Sequence, residues 1–399
     1  MSPLSSPLRL PCGATLPNRL AKSAMSENLA DAGHLPDERL RAVYTRWARS
    51  GVGLNITGNV MVDTTALGEP HNVVFTPGNG LDALAAWAEA AQSGGAACWP
   101  QINHPGRQSP RTLSRQPVAP SAVPLQLPGK LFATPRALEA NEIVDLVGRF
   151  GRAAGISKAA GFAGVQVHGA HGYLVSQFLS PLSNQRDDAW GGDPERRRRF
   201  LVEIVRAMRA EAGPAFPIGV KLNSADFQRG GFSEEESMEV VAVLESEGVD
   251  LLEISGGTYE KPAMTGRGAS VRASTAAREA YFLEYARKVR ARTRLPLMLT
   301  GGFRSRAGME AALASGAVDV VGLARPLAQE PDFARRVLDG STDHSEVEPR
   351  RTGIATLDGL LEVAWYSYQI QRMGRGLEPD PGVWPWTVLA RLGWESVVG

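Results

Sequence analysis

Apolar positions along the chain follow two alternating patterns. Short, nearly continuous runs rich in Val, Ile and Leu read as buried strands, and the longer stretches between them place apolar residues at helical spacing. The runs predict eight strands, at Leu20–Met25, Gly53–Gly58, Ala96–Ile102, Gly164–His168, Ile218–Leu222, Leu251–Ser255, Leu297–Gly301 and Val318–Gly322. Helices are expected at Pro36–Ser50, Gly80–Ser93, Glu142–Ala160, Pro194–Ala212, Ser233–Glu247, Thr275–Arg292, Arg306–Ser315 and Asp332–Leu338. Two starts carry cap signals, the box of Ser233 with Glu236 and Pro194 directly after Asp193. Strict strand–helix alternation predicts an α/β fold with a parallel sheet, a (β/α)8 TIM barrel. An open doubly wound sheet is the alternative, but the glycine-rich dinucleotide fingerprint it would place after the first strand is absent.

Two segments exceed this plan. A Pro-rich insertion at 103–140 follows the third strand, where it would cap the C-terminal face of the barrel. A C-terminal extension, 356–399, is expected to hold a helix to Met373 and then Gly- and Pro-rich chain with Trp384, Trp386 and Trp394. Exposed tryptophans are costly, so the tail is expected to pack on the barrel or on a second subunit. A single domain of 399 residues, 1–399, accommodates all of this.

Composition narrows the class. A net charge of +1 gives no footprint for nucleic acid, and the run Arg196 to Arg199 reads as a solvated helix face. Cys12 and Cys98 are too few for a disulfide framework, a zinc site or an iron–sulfur cluster. With no apolar run long enough for a membrane and no signal-type N-terminus, a cytoplasmic enzyme is the expectation, and a closed homodimer the base-rate assembly.

Barrel chemistry collects at the C-terminal strand ends. Those ends carry Ser23 to Ser26, Thr57 to Asn59, Gln101 to His104, His168 to Tyr173, Lys221, Gly301 to Phe303, and Gly322 to Arg325. The last two fit a phosphate site, with small residues exposing backbone N–H groups and Arg325 adding a forked charge; a plain turn and a surface arginine are the alternative. Gln101 both donates and accepts, which suits the polar edge of a heterocycle, and Lys221 would stand near a group that gains negative charge. His168 and His171 are three apart at a strand end without a cysteine or carboxylate companion, which argues against a metal pair. As N–H donors they could polarise a carbonyl while Tyr173 supplies a proton; core histidines bonded to backbone remain the other reading.

Taken together, Leu16-Pro-Asn-Arg-Leu20, Ala24-Met25, Gln101-Ile-Asn-His-Pro-Gly-Arg107, His168-Gly-Ala-His-Gly-Tyr173, Gln177-Phe-Leu-Ser-Pro181, Asn184, Arg186, Asp188, Gly191-Gly192 and Gly322-Leu-Ala-Arg325 resemble the old yellow enzymes, FMN-dependent ene-reductases. The resemblance runs to about Phe333. It implies FMN held by Ser23, Ala24, Met25, Ser26, Asn59, Gln101, Lys221, Gly302, Ala324 and Arg325. It also implies an enone- or enal-type substrate whose oxygen is bound by His168 and His171, with Tyr173 as proton donor and NADH or NADPH as reductant. Lys221 stands where the family usually has Arg, Ser26 where Cys or Thr is frequent, and Trp190 where Tyr is usual. A non-redox aldolase or isomerase on the same barrel, or a flavin-binding protein without turnover, are the rival functions.

Overall fold

In a computed structural model, which describes residues 2–78, 80–127, 130–255, 275–348 and 350–398, the eight strands close on themselves as a (β/α)8 TIM barrel. They are β1 (Leu20–Lys22), β2 (Leu54–Met61), β3 (Ala97–Asn103), β4 (Val165–Gly169), β5 (Ile218–Asn223), β6 (Leu251–Ser255), β7 (Leu297–Thr300) and β8 (Val320–Leu323). Each pairs in parallel with its neighbour and β8 pairs with β1, so the barrel leaves no edge strand. Around them run α1 (Glu38–Ala48), α2 (Leu81–Gln92), α3 (Ala140–Ala159), α4 (Leu174–Leu179), α5 (Pro194–Ala212), α6 (Glu234–Ser246), α7 (Thr275–Arg290) and α8 (Arg306–Ala314). Then follow α9 (Arg325–Gln329), α10 (Phe333–Leu338), α11 (Ala355–Gly374) and α12 (Pro385–Val398).

The differences from expectation have local causes. The α1 helix starts at Glu38 because the Asp37 carboxylate accepts from the N–H groups of Arg39 and Leu40. The α3 helix starts two residues early because Glu139 and Glu142 cap one another's backbone. The short helices α4 and α9 follow β4 and β8 directly, too brief for any periodicity to announce. The β2 strand runs on to Met61 because its register against β3 shifts between Ile56 and Asn59 and then resumes, which puts Asn59 inside the ladder opposite Gln101. The tail forms a second helix, α12, instead of irregular chain, with Pro385 at its first position. Within this chain Trp384 and Trp386 stay 67% and 38% exposed, so the barrel does not cover them; the side chain of Trp394 lies outside the described residues.

The barrel interior is stratified. An apolar floor of Ala21, Leu54, Ile56, Trp99, Leu251, Met298 and Val320 is sealed from below by Leu8, Leu10 and Leu16 of an N-terminal hairpin. Trp99 fills the space left by two glycines: a Cβ on Gly164 or Gly219 would lie within 3 Å of its indole. Above the floor seven ring positions are polar or glycine, as the next section describes.

Outside β1 and β2 lies a buried ion pair. Lys22 Nζ donates to the Ile56 carbonyl at 2.5 Å, sits 4.2 Å from the centre of the Trp47 ring and is 3.8 Å from Glu27 Oε1; burial pulls its pKa down to about 8. Glu27 also accepts from Tyr44 and from the Gly58 N–H. A Cβ at Gly58 would lie 2.0 Å from Glu27 Oε2 and 2.3 Å from the Met25 carbonyl oxygen. Gly58→Ala is therefore expected to lower stability by about 3 kcal/mol, read as an earlier urea midpoint at unchanged slope.

Candidate active site

One inward residue from each of six strands, together with Ser23 just after β1, forms a polar layer on the apolar floor: Ser23, Gln101, Gln166, Lys221, Glu253, Thr300 and Gly322. Gln101 Nε2 donates to Gln166 Oε1 at 2.7 Å, and Gln166 Nε2 donates to Glu253 Oε2 at 2.8 Å. Lys221 Nζ lies 3.0 Å from Glu253 Oε1, which also accepts from Thr300 Oγ1 at 2.7 Å. The hydroxyls of Thr300 and Ser23 are 2.8 Å apart. Glycine is required at 322, since a Cβ there would meet Thr300 Oγ1 at 2.1 Å and Ser23 Oγ at 2.5 Å.

Directly above, His168 follows Gln166 on β4 and pairs in register with Lys221. Its Nδ1 accepts the Ala170 N–H at 3.2 Å, which fixes the proton on Nε2. His171 takes a left-handed conformation, φ 61°, held by its N–H donating to Asn223 Oδ1 at 3.2 Å and its carbonyl accepting from Gln108 Nε2 at 3.1 Å. His171 Nε2 is 2.7 Å from Ser255 Oγ. The two imidazoles meet edge to face with centres 5.1 Å apart, and the Tyr173 ring stands 4.8 Å from His168 at the start of α4.

Burial, reinforced by the nearby Lys221 charge, holds both histidines well below their ordinary 6.5. Burial likewise brings His104 down to about 4. All three are thus neutral near neutrality, and His168 and His171 are suited to polarising an oxygen without carrying charge. The unfolded chain binds protons that the folded one refuses, so the stability they confer is complete above about pH 6.5 and is lost as pH falls below it. Each histidine contributes a slope of about 1.4 kcal/mol per pH unit in that range. Urea midpoints should therefore drop steeply between about pH 7 and pH 5.5. A flat profile there would contradict neutral burial of these groups.

The loops after β7 and β8, where the sequence places a phosphate-type corner, meet at the rim of the barrel. Gly301 and Gly302 adopt φ values of 138° and 79°, and α9 begins at Arg325. Arg325 is ion-paired with Glu362 and lies 5.7 Å from the Tyr366 ring centre, both on α11. The same helix reaches Ser26, whose carbonyl accepts from Ser367 Oγ at 3.2 Å. The C-terminal extension thus closes one rim of the site, while α12 packs on α11. The Ser26 hydroxyl donates to Glu69, and Asn59 Oδ1 accepts from Asn103 Nδ2 at 3.1 Å. Ala24 and Met25 are half-buried beside them.

The structure thus brings the predicted residues together in a tiered mouth. Several motif residues have a different duty. Gln177 Nε2 bridges the carbonyls of Pro105 and Gly172, clamping the loops after β3 and β4. Arg186, paired with Asp188, donates to the carbonyls of Pro120 and Leu138 and so ties down the insertion. Sequence reasoning missed Gln166, Glu253, Thr300, Asn223 and Ser255. The available signal was a polar residue inside an otherwise apolar strand, as in Val165-Gln166-Val167 and Leu252-Glu253-Ile254.

The donor set matches a flavin mononucleotide: an amide with a free acceptor edge, an ammonium, and an arginine beside open backbone. Comparisons with known proteins agree. The model of the NADH:flavin oxidoreductase / NADH oxidase family matches residues 3–344, which leaves α11 and α12 outside it. An NADH-dependent flavin oxidoreductase of Hypocrea jecorina is 41% identical over 84% of this chain and 88% of its own length. Among solved structures, the old yellow enzyme homologue from Zymomonas mobilis aligns with a TM-score of 0.71 at 26% identity, over 86% of this chain and 94% of that one. Morphinone reductase in complex with tetrahydroNAD aligns with a TM-score of 0.71 at 26% identity, over 88% and 93%. The chain belongs to the NADH:flavin oxidoreductase / NADH oxidase family and is an FMN-dependent oxidoreductase of the old yellow enzyme kind.

Proposed function

We propose that the enzyme reduces the C=C bond of α,β-unsaturated carbonyl compounds, with NADH or NADPH as electron source. The observation that carries this reading is the cluster of two neutral, orientated imidazoles and a tyrosine at the end of β4, above a buried ammonium. FMN, when bound, supplies hydride transfer, accepting from the nicotinamide and delivering to the substrate.

Ser23, Ala24, Met25, Ser26 and Asn59 line its pyrimidine side together with Gln101 and Lys221. Gly302, Ala324 and Arg325 would hold its phosphate. The His168 Nε2–H and an N–H of His171 bind the substrate oxygen and draw electron density from the β-carbon. Tyr173 gives a proton to the α-carbon as that carbon gains charge. The side chains already bonded to one another need little reorganisation when substrate arrives.

The test is a visible spectrum followed through one cycle. The purified protein should be yellow, bleach anaerobically with NADH or NADPH, and regain its colour on adding 2-cyclohexenone, with the saturated ketone as product. A protein that bleaches but is not reoxidised by any enone or enal refutes the proposed substrate class. A colourless protein that cannot take up FMN refutes the cofactor site.

A further inference from the structure

Three of the residues assigned to the FMN site, Ser23, Gln101 and Lys221, converge on a single carboxylate. Glu253 is fully buried on the inward face of β6. It contacts Lys221 directly at 3.0 Å, Gln101 through Gln166, and Ser23 through Thr300. Both members of the ion pair are withdrawn from water, with side-chain exposures of 6% and 0%, so solvent does little to screen either charge.

A lone buried cation beneath a bound flavin favours whichever redox form is more negative, and two-electron reduction makes the isoalloxazine more negative. An anion 3.0 Å from that cation opposes the effect. We propose that Glu253 is a potential-setting and positioning residue: by neutralising Lys221 it keeps the reduced form of bound FMN less stabilised than an unpaired cation would, so that electrons are surrendered readily to a substrate. The pairing also accounts for lysine at this position. A compact ammonium can turn sideways to the carboxylate of its in-register neighbour in the same layer, which a planar guanidinium fork directed at the ligand would not do equally well. The inference rests on the FMN site proposed above.

The experiment measures the midpoint potential of the holoenzyme by dye equilibration, together with FMN dissociation constants for the oxidised and reduced forms. Glu253→Gln preserves size and hydrogen bonding but leaves Lys221 unpaired. Its reduced FMN should bind tighter relative to oxidised FMN by tenfold or more, a rise of about 30 mV or more for a two-electron couple. Lys221→Met should shift the potential downward and steepen its dependence on pH, since flavin reduction already takes up a proton and the carboxylate left alone would take up another. The double variant should return close to wild type. A purely structural role predicts instead weaker FMN binding in all three variants with no opposed shifts in potential, and that result overturns the inference. Should Glu253→Gln not fold, Lys221→Met decides: an unchanged potential with the wild-type pH slope refutes the pairing. If wild-type protein binds and cycles FMN while these shifts are absent, the FMN site stands and only the role of Glu253 falls.

Discussion

Replacing Tyr173 by phenylalanine is expected to leave reduction by NADH near its wild-type rate and to slow reoxidation by enones by about 10²- to 10⁴-fold, the range for loss of a positioned general acid. The asymmetry arises because protonation of carbon enters only the second half of the cycle. The ring itself should stay in place: Tyr173 is 92% buried, packs edge-on to His168 and starts α4 through its backbone, none of which needs the hydroxyl. Anaerobic stopped-flow traces of the flavin band, recorded separately for NADH and for 2-cyclohexenone, check both halves. Equal slowing of the two would show that the substitution disturbs the flavin environment rather than a proton transfer. If neither half changes, the proton comes from elsewhere.

Truncating both imidazoles, His168→Ala with His171→Ala, should weaken binding of a phenol or an enone by about 10- to 100-fold, from two hydrogen bonds of about 1 kcal/mol each. The affinity for FMN should change little, since neither ring belongs to the layer of Gln101, Gln166 and Glu253. Titrating the variant with a phenol, followed by perturbation of the flavin spectrum, measures the loss. His171→Asn, which retains a donor, should recover part of it, whereas His171→Ala should not. Binding that is indifferent to both rings would remove them from the substrate pocket. Because the folded protein keeps both rings neutral, phenol binding should also show no inflection from histidine titration between about pH 6 and pH 8.

Much of this architecture could be read in the chain, and the limits have physical reasons. Apolar runs located all eight strands, because a parallel barrel buries both faces of each strand and leaves an unbroken apolar signature. Strand ends pointed to His168, His171 and Tyr173 because a polar cluster after such a run has no place in a core. Glu253 is marked only as a polar residue inside an apolar strand; its partners could not be read, because only closure of the barrel brings Lys221, Gln166 and Thr300 around it. The register shift in β2 could not be seen either, since it depends on pairing with β3 and not on local propensity. Nor could sequence periodicity show that α11 would bring Glu362 to Arg325 and Ser367 to Ser26, contacts made across more than 35 residues in one case and over 300 in the other.

The sealed floor of the barrel decides how protons travel. Trp99, Met298 and Leu251 lie beneath the polar layer, and Leu8, Leu10 and Leu16 close the underside, so an apolar plug separates the base of the barrel from the reaction layer. On the proposed mechanism, solvent protons that recharge Tyr173 would therefore not come through the barrel floor.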